Sequence, residues 1–322
     1  MHDPLAELPT TPRVPVAEPL RRARAAIRAA VADVVAVPDT ALERPWRWHA
    51  DDPDDLDVRY GLYRLHERLE DAAAEVARRR DSANANAGSA GSGLGAAVAL
   101  LAASGTARWE LYGALAGIPD EAWDADPGGG EWSIRRTVAH VISAQRAYGW
   151  TTAWFLHRAG EPDAGEYAPD GALPPEPDEA SEADGAVGEV IARLDGLVDQ
   201  AIETLAGLDA AGLVVPGRWS GIPITVGFRL NRLGSHLREH TIQVDKTVAM
   251  LGRPIREVDR IARLVLGSYG RIEALVVGRA SGSADPSGSA DADLAIVERA
   301  ASDAAATAAD VRAAAAAAGS VA

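Results

Sequence analysis

Two histidines four residues apart could share one metal ion. His236 and His240 occur in the segment Leu233-Gly-Ser-His-Leu-Arg-Glu-His240. On a helix this spacing places both imidazoles on one face, ~40° apart around the axis and about one turn apart along it. Imidazole nitrogen is a common ligand of divalent metals. Histidine pairs of this kind are also common as surface or packed residues, so the pair alone leaves both interpretations open.

A third histidine favours the metal interpretation. His140 lies seven residues after Ser133, where a predicted helix begins. Alone, His140 would most simply be a packed polar residue bonded to a neighbour. Together with His236 and His240 on a second helix, it would give three neutral imidazoles converging in the core of a helical bundle. Three protein ligands leave coordination positions open for water or substrate, which is typical of catalytic metal sites.

Other polar residues on these two helices could act beside a metal. Gln243 follows the second histidine of the pair by three residues, so it shares that face and could orient a ligand or a substrate. An ordinary polar residue at the bundle edge is the alternative. Glu239 could be a general base, but its neighbouring arginines favour a surface ion pair. Arg135 or Arg136 could bind an acidic group of a substrate, with a solvated helix face as the alternative for at least one of them.

The elements that would carry these residues are helices, because apolar residues recur at helical spacing and strand-like alternation is scarce. The segments with this periodicity are 19–35, 58–80, 94–116, 133–158, 185–207, 225–251 and 254–276. Residues 160–184 contain nine acids, five prolines and no basic residue, which predicts an exposed loop. The predicted fold is therefore all-α, an up-and-down helical bundle.

Composition divides the chain into five regions. We expect a flexible N-terminus at 1–18, a helical hairpin at 19–80 that packs on the bundle, a linker at 81–93, the metal-binding bundle at 94–279, and a linker with an alanine-rich tail at 280–322. The alanine-rich stretch 292–319 could form a helix, but it offers few large apolar side chains, so we expect a flexible tail that is loosely attached or disordered.

A weak internal repeat relates the hairpin to the bundle. Residues 37–42 resemble 118–123, and 57–59 resemble 133–135. Internal duplication would explain this likeness, and so would the turn and N-cap residues that helical hairpins generally share. In the repeat, Arg64 occupies the position that matches His140, and His66 points elsewhere. The hairpin is therefore expected to be free of metal ligands.

The overall composition excludes several classes of function. The chain has 322 residues, a formal net charge of −15 and no cysteine. It therefore forms no disulfide, zinc–thiolate site or iron–sulfur cluster. Its acidity argues against nucleic acid as a partner. No apolar run approaches the ~18 residues of a membrane span and no signal peptide is recognisable, so we expect a cytoplasmic protein without a membrane partner.

The sequence resembles the DinB-like (YfiT-like) superfamily over about residues 94–276. The matching residues are Trp132-Ser133 and His140 on one helix, and His236-Leu-Arg-Glu-His240-Thr-Ile-Gln243 on the other. The resemblance implies a four-helix bundle whose three histidines hold a divalent metal. The superfamily includes bacillithiol and mycothiol S-transferases and mycothiol-dependent maleylpyruvate isomerase. The N-terminal hairpin and the tail depart from the usual single bundle.

The resemblance implies a metal-dependent S-transferase or thiol-assisted isomerase, with a low-molecular-weight thiol and an electrophile as small-molecule partners. The absence of cysteine fits a thiol supplied from outside. Arginine makes up 31 of the 32 basic residues, which suggests a G+C-rich genome and makes mycothiol the first thiol to test. Zinc, nickel and iron all accept three imidazoles. A non-catalytic metal- or ligand-binding bundle and a metal-free helical interaction protein are the alternatives, and a homodimer is left open.

Overall fold

The computed structural model of the protein describes residues 16–48, 56–87, 95–276 and 289–317. The described chain is predominantly helical, which confirms the predicted all-α fold. The helices are α1 (Glu18–Ala36), α2 (Val58–Ala87), α3 (Ala96–Leu115), α4 (Ile134–His157), α5 (Val187–Leu205), α6 (Ala210–Leu213), α7 (Val226–Met250), α8 (Glu257–Val276) and α9 (Ser289–Ala317). Within these ranges, no helix combines the length and hydrophobicity needed to cross a lipid bilayer.

Two short antiparallel hairpins interrupt the helices. Strand β1 (Pro45–Trp46) pairs with β2 (Leu56–Asp57), and β3 (Pro216–Trp219) pairs with β4 (Ile222–Thr225). The sequence analysis did not predict the β3–β4 hairpin. Its turn residues Ser220 and Gly221 both have positive φ, 47° and 80°. Positive φ at both central residues is the backbone of a two-residue hairpin turn, and the Ser-Gly pair was the local signal for it.

The two helices that carry the histidines begin where side-chain caps predict. Ser133 Oγ accepts a hydrogen bond from the backbone N–H of Arg136 at the start of α4, at 3.2 Å. Thr225 Oγ1 accepts from the backbone N–H of Phe228 at the start of α7, at 3.3 Å. Such caps satisfy N–H groups that have no partner within the helix. Both starts are therefore set locally, and they determine how far along each helix the histidines lie.

The eight long helices of the described chain form two four-helix bundles. Helices α3, α4, α5 and α7 form the first, named the site bundle because it carries the three predicted ligands. Helices α1, α2, α8 and α9 form the second bundle. Helix α8 also packs along α3, so the seam between the bundles runs between these two helices. This arrangement differs from the predicted regions. The prediction grouped α8 with the metal-binding helices and treated residues 19–80 as a hairpin on the surface of that bundle.

Over its described residues, 289–317, the alanine-rich tail is an integral part of the second bundle, and the expectation of a flexible, loosely attached segment is wrong there. Helix α9 packs along α1 and α2. Its buried face consists mostly of alanines with a few larger residues, among them Leu294, Val297 and Val311. Small side chains let helices approach closely: a Cβ added at Gly61 of α2 would lie 2.7 Å from Val311. Close packing of small residues therefore replaces the bulky anchors that the sequence lacks.

The predicted linker and terminus fall largely outside the described chain. Helix α2 continues to Ala87, so it includes the first part of the linker predicted at 81–93. Residues 88–94, most of the predicted N-terminal segment 1–18, and 277–288 lie outside the described residues.

The two halves of the weak repeat have matching local structure. A 3₁₀ turn follows α1 at Asp39–Ala41 and another follows α3 at Asp120–Ala122. The backbone N–H of Arg59 then donates to the carbonyl of Leu42, and that of Arg135 to the carbonyl of Trp123, each at 2.9 Å. These equivalent contacts agree with the repeat, and duplication stays a prediction.

A buried cluster of four charged side chains joins the bundles. Arg24 of α1 donates to Asp199 of α5 at 2.6 and 2.9 Å and to Glu273 of α8 at 3.0 and 2.9 Å. Arg108 of α3 donates to the same carboxylates at 2.8 and 2.5 Å. Each bundle thus contributes one arginine and one carboxylate, and each arginine bonds to both bundles. Buried charges are tolerated when they are paired in this way.

Replacing one arginine of this cluster should destabilise the whole fold. In Arg24→Met, two buried carboxylates would share the single guanidinium of Arg108, and we expect the free energy of unfolding to fall by roughly 3–5 kcal/mol. Urea denaturation followed by circular dichroism measures this. Arg22→Met is the matched control, because Arg22 lies on the same helix in an exposed ion pair with Glu298. Equal stability of the two variants would contradict a structural role for the cluster.

The cluster should also make stability depend on acid pH. Burial alone would raise the pKa of Asp199, but the guanidiniums of Arg108 and Arg24 outweigh it and lower that pKa to about 2. The unfolded value is about 3.9. This contribution, on the order of 2–3 kcal/mol, is therefore fully present above the unfolded pKa and is lost as pH falls toward 2. Urea titrations between pH 6 and pH 2 should show a smaller loss for Asp199→Asn, and an unchanged pH profile would contradict the assignment.

Candidate metal centre

Helix α4 packs against α7 and brings the three predicted ligands together. His140 lies in the second turn of α4, and His236 and His240 lie in the middle of α7. The Nε2 atoms of His236 and His240 are 3.0 Å apart. The ring centre of His140 is 5.3 Å from that of His236 and 5.0 Å from that of His240. One ring nitrogen from each residue lies within 4.8 Å of the other two.

Two of the three imidazoles are oriented through their second ring nitrogen. Nδ1 of His240 is 2.7 Å from Oε1 of Gln243, and Nδ1 of His140 is 3.0 Å from Oε2 of Glu179. Because both partner atoms are acceptors, they favour a proton on Nδ1 and a free lone pair on Nε2. Nδ1 of His236 is buried and has no hydrogen-bond partner among the described residues, so packing sets the orientation of that ring.

Burial keeps the histidine pair neutral. His236 is only 5% exposed, and burial, together with the neighbouring imidazoles and Arg232, lowers its pKa to about 3. Burial also lowers the pKa of His240, although the hydrogen bond to Gln243 opposes this. Neutral imidazole is the form that binds a metal. At neutral pH both residues therefore offer lone pairs to an ion.

Glu179 is a residue of this centre that the sequence analysis missed. It lies in the acidic segment 160–184, predicted as an exposed loop, where a 3₁₀ turn spans Glu179–Ala183. The only available signal was that this segment directly follows the helix of His140. Because its nine acids are spread along the loop, spacing could not single out the one that returns to the histidine.

Buried contacts hold this 3₁₀ turn against α4. Arg146 donates to both carboxylate oxygens of Glu182, at 2.7 and 3.0 Å, and both side chains are buried. Arg135, near the start of α4, donates to the carbonyl of Ala183 at 2.7 Å. The position of the Glu179 carboxylate is therefore set by α4 itself rather than by the loop alone.

Two aromatic rings flank the histidines. The ring of Trp132 lies 5.1 Å from that of His140, and the ring of Tyr148 lies 5.4 Å from that of His236, measured between ring centres. Tyr148 is on α4, two turns beyond His140, and was not singled out from the sequence. The centre therefore has an aromatic side chain at each end along α4.

The remaining candidate residues are engaged in other contacts. Glu239 accepts from Arg232 at 2.5 and 3.1 Å, and this contact lowers the pKa of its carboxyl group. That is the predicted ion pair, and a carboxylate with a lowered pKa is a weak base. Arg135 forms an ion pair with Asp124 at 2.7 Å, and the guanidinium of Arg136 lies 4.8 Å from the ring centre of Trp132.

The donor set fits a divalent ion that accepts imidazole nitrogen. Zinc–nitrogen bonds of about 2.0–2.1 Å place two nitrogens that bind the same ion roughly 3 Å apart. The 3.0 Å between the Nε2 atoms of His236 and His240 already matches this distance. Among the described residues, the side chains that come close enough to share one ion here are the three histidines, and no carboxylate belongs to this group. Such a set suits zinc, nickel or iron and does not choose among them.

Comparison with known proteins identifies the bundle that holds these residues. Residues 105–244 match the family model of the DinB superfamily. The matched segment runs from within α3 into α7, includes the three histidines and Gln243, and stops before α8. Residues 105–244, which lie in the site bundle, are therefore similar to the DinB superfamily, and this confirms the resemblance seen in the sequence. The comparisons with curated proteins and with solved structures yielded no match.

Removing either acceptor that orients an imidazole should weaken metal binding. We expect Gln243→Ala and Glu179→Ala each to reduce the affinity for Zn²⁺ or Ni²⁺ by about 10–100-fold, because the proton of Nδ1 loses its partner. Competition against a chromogenic chelator measures the affinity. Asp178→Ala is the control for Glu179→Ala, since it removes the same charge from the neighbouring exposed position. Unchanged affinity in both test variants would contradict this role.

Proposed function

We propose that the protein is a divalent-metal-dependent enzyme in which His140, His236 and His240 hold the ion and a low-molecular-weight thiol is the nucleophile. The convergence of three imidazoles from α4 and α7, two of them with oriented Nδ1 atoms, carries this proposal. The DinB superfamily match supports it independently of the geometry.

The chemistry of the site suits activation of a thiol. When bound, a divalent ion supplies positive charge that lowers the pKa of a thiol, so that thiolate forms at neutral pH. Imidazole ligands carry no negative charge, so they cancel none of that charge. Trp132 and Tyr148 shield the histidines at the two ends of the centre. The chain has no cysteine, so the reacting sulfur would come from a small molecule.

The reaction class is S-transfer to an electrophile or thiol-assisted isomerisation. The superfamily resemblance supports both, and the arginine-rich composition makes mycothiol the first thiol to test. Zinc, nickel and iron are the metals to test. A cytoplasmic location stays an expectation, as does the absence of nucleic acid and membrane partners.

A non-catalytic metal- or ligand-binding bundle is the second candidate. One observation favours it, namely that both carboxylates near the histidines are already engaged. Glu179 is hydrogen-bonded to His140, and Glu239 is paired with Arg232. Neither is free to act as a general base, so turnover would depend on the thiolate alone.

Metal content and thiol-dependent turnover test the proposal together. We expect near-stoichiometric divalent metal in the purified protein by elemental analysis and its loss in His236→Ala, because the variant removes a buried ligand. Consumption of a model electrophile should need added thiol, bound metal and His236. His66→Ala is the matched control, because His66 lies on α2, where its Nδ1 contacts the carbonyl of Tyr63.

Three results would separate the candidates. A folded protein that takes up no metal after each ion is added would overturn the metal-dependent proposal. Metal without turnover across a broad panel of electrophiles would favour the binding bundle. Turnover that is independent of thiol would contradict the assigned nucleophile while leaving the metal site intact.

A further inference from the structure

One buried arginine of the site bundle lacks the partner that the others have. Five arginines of the described chain are buried: Arg24, Arg80, Arg108, Arg146 and Arg229. Four of them lie in ion pairs with carboxylates, namely Asp199, Glu273, Glu182 and Asp293. Arg229 forms no ion pair with a carboxylate in this part of the chain. Buried charges without a counter-ion are costly, so this exception calls for a ligand or a special environment.

Among the described residues, the groups that contact Arg229 are neutral and none is a carboxylate. The residue is 3% exposed, and its Nη2 donates to the backbone carbonyl of Arg218 at 2.9 Å. Its guanidinium carbon lies 4.8 Å from the ring centre of Tyr148. Its Nε is buried and has no hydrogen-bond partner among the described residues. Burial lowers the pKa of this guanidinium, and the neighbouring Arg232 lowers it further.

Arg229 also lies beside the metal centre. It precedes His236 by seven residues on α7, which is two helical turns along the same face, or roughly 10 Å. The ring of Tyr148 connects the two positions, because it contacts the imidazole of His236 as well as the guanidinium of Arg229. The histidines and the unpaired arginine therefore occupy one continuous strip between α4 and α7.

The β3–β4 hairpin covers the end of this strip at Arg229. Strand β3 contacts α4, and its Arg218 accepts the hydrogen bond from Arg229. The hairpin is itself held by Arg218, which pairs with Glu166 at 2.6 Å, and by Gly221, whose N–H donates to the hydroxyl of Tyr167 at 3.1 Å. Arg229 is thus at the enclosed end of the strip, away from competing solvent.

We infer that Arg229, with Tyr148 beside it, forms a subsite for a carboxylate group of the small-molecule substrate. A planar guanidinium can donate two parallel hydrogen bonds to a carboxylate through Nε and the adjacent Nη2. Nε has no partner among the described residues, and Nη2 has a second N–H besides the one that it donates to Arg218. The inference rests on the proposed function, since the reacting group of the same molecule would lie at the histidines. The substrate class is therefore an organic acid whose carboxylate is several bonds from the reacting atom.

A pair of probes of equal length tests this subsite on the cobalt-loaded full chain. Binding of 6-mercaptohexanoate and of 6-mercaptohexanol is followed by the thiolate-to-cobalt absorption band. We expect the acid to bind at least about tenfold more tightly than the alcohol. In Arg229→Met this preference should disappear while the affinity for the alcohol is kept. Arg238→Met should keep the preference, because Arg238 lies on the same helix in an exposed pair with Glu110.

The design keeps failure of the subsite distinct from failure of the proposed function. Cobalt uptake and a thiolate band without a preference for the acid would overturn the subsite and leave the metal proposal standing. If cobalt is not bound, the subsite is tested by ligand-observed NMR of hexanoate with the metal-free protein. Equal binding of hexanoate to the wild type and to Arg229→Met would overturn the inference. If Arg229→Met does not fold, Arg229→Lys should fold with a severalfold smaller preference, and an unchanged preference would refute the two-bond contact.

Discussion

The structure depends on the buried ion cluster that Arg24, Arg108, Asp199 and Glu273 form at the seam. These four groups tolerate burial only in one relative placement of the two bundles, since each guanidinium needs both carboxylates. Helix α3, which carries Arg108, also packs against α7. At Gly234 an added Cβ would lie 3.2 Å from the backbone nitrogen of Ser104 on α3, so the two helices approach without room for a side chain. The cluster positions α3, and α3 supports the helix of the histidine pair.

Local signals predicted the candidate ligands, and contacts between distant segments determine the residues that the sequence analysis missed. The three histidines and Gln243 could be found from the sequence because helix caps and the period of 3.6 residues determine which side chains share a face. Glu179 could not, because its approach to His140 depends on a buried ion pair that anchors the acidic loop. Arg229 resembles any other arginine of α7 in the sequence, and only its burial without a carboxylate distinguishes it.

The second bundle shows why counting large apolar residues misjudged the tail. Alanines at helical spacing bury little area each, but they let α9 lie close to α1 and α2, and dispersion contacts grow with that proximity. This bundle also differs chemically from the site bundle. Arg64, which matches His140 in the repeat, is paired with Glu67 and lies 4.2 Å from the ring centre of Tyr60. Among the described residues, the group of three metal-binding side chains lies in the site bundle and none is found in the second bundle.

The charge distribution around the centre contrasts with that of the whole chain. The protein has a net charge of −15, yet the three candidate ligands are histidines, and Arg229 lies near them without a carboxylate partner among the described residues. A divalent ion would add to this local positive charge, and Glu179 would offset only part of it. Because such charges act strongly where water is excluded, an anionic ligand would relieve the excess most effectively. A thiolate at the ion and a carboxylate at Arg229 would together neutralise the charges that the protein itself leaves unpaired.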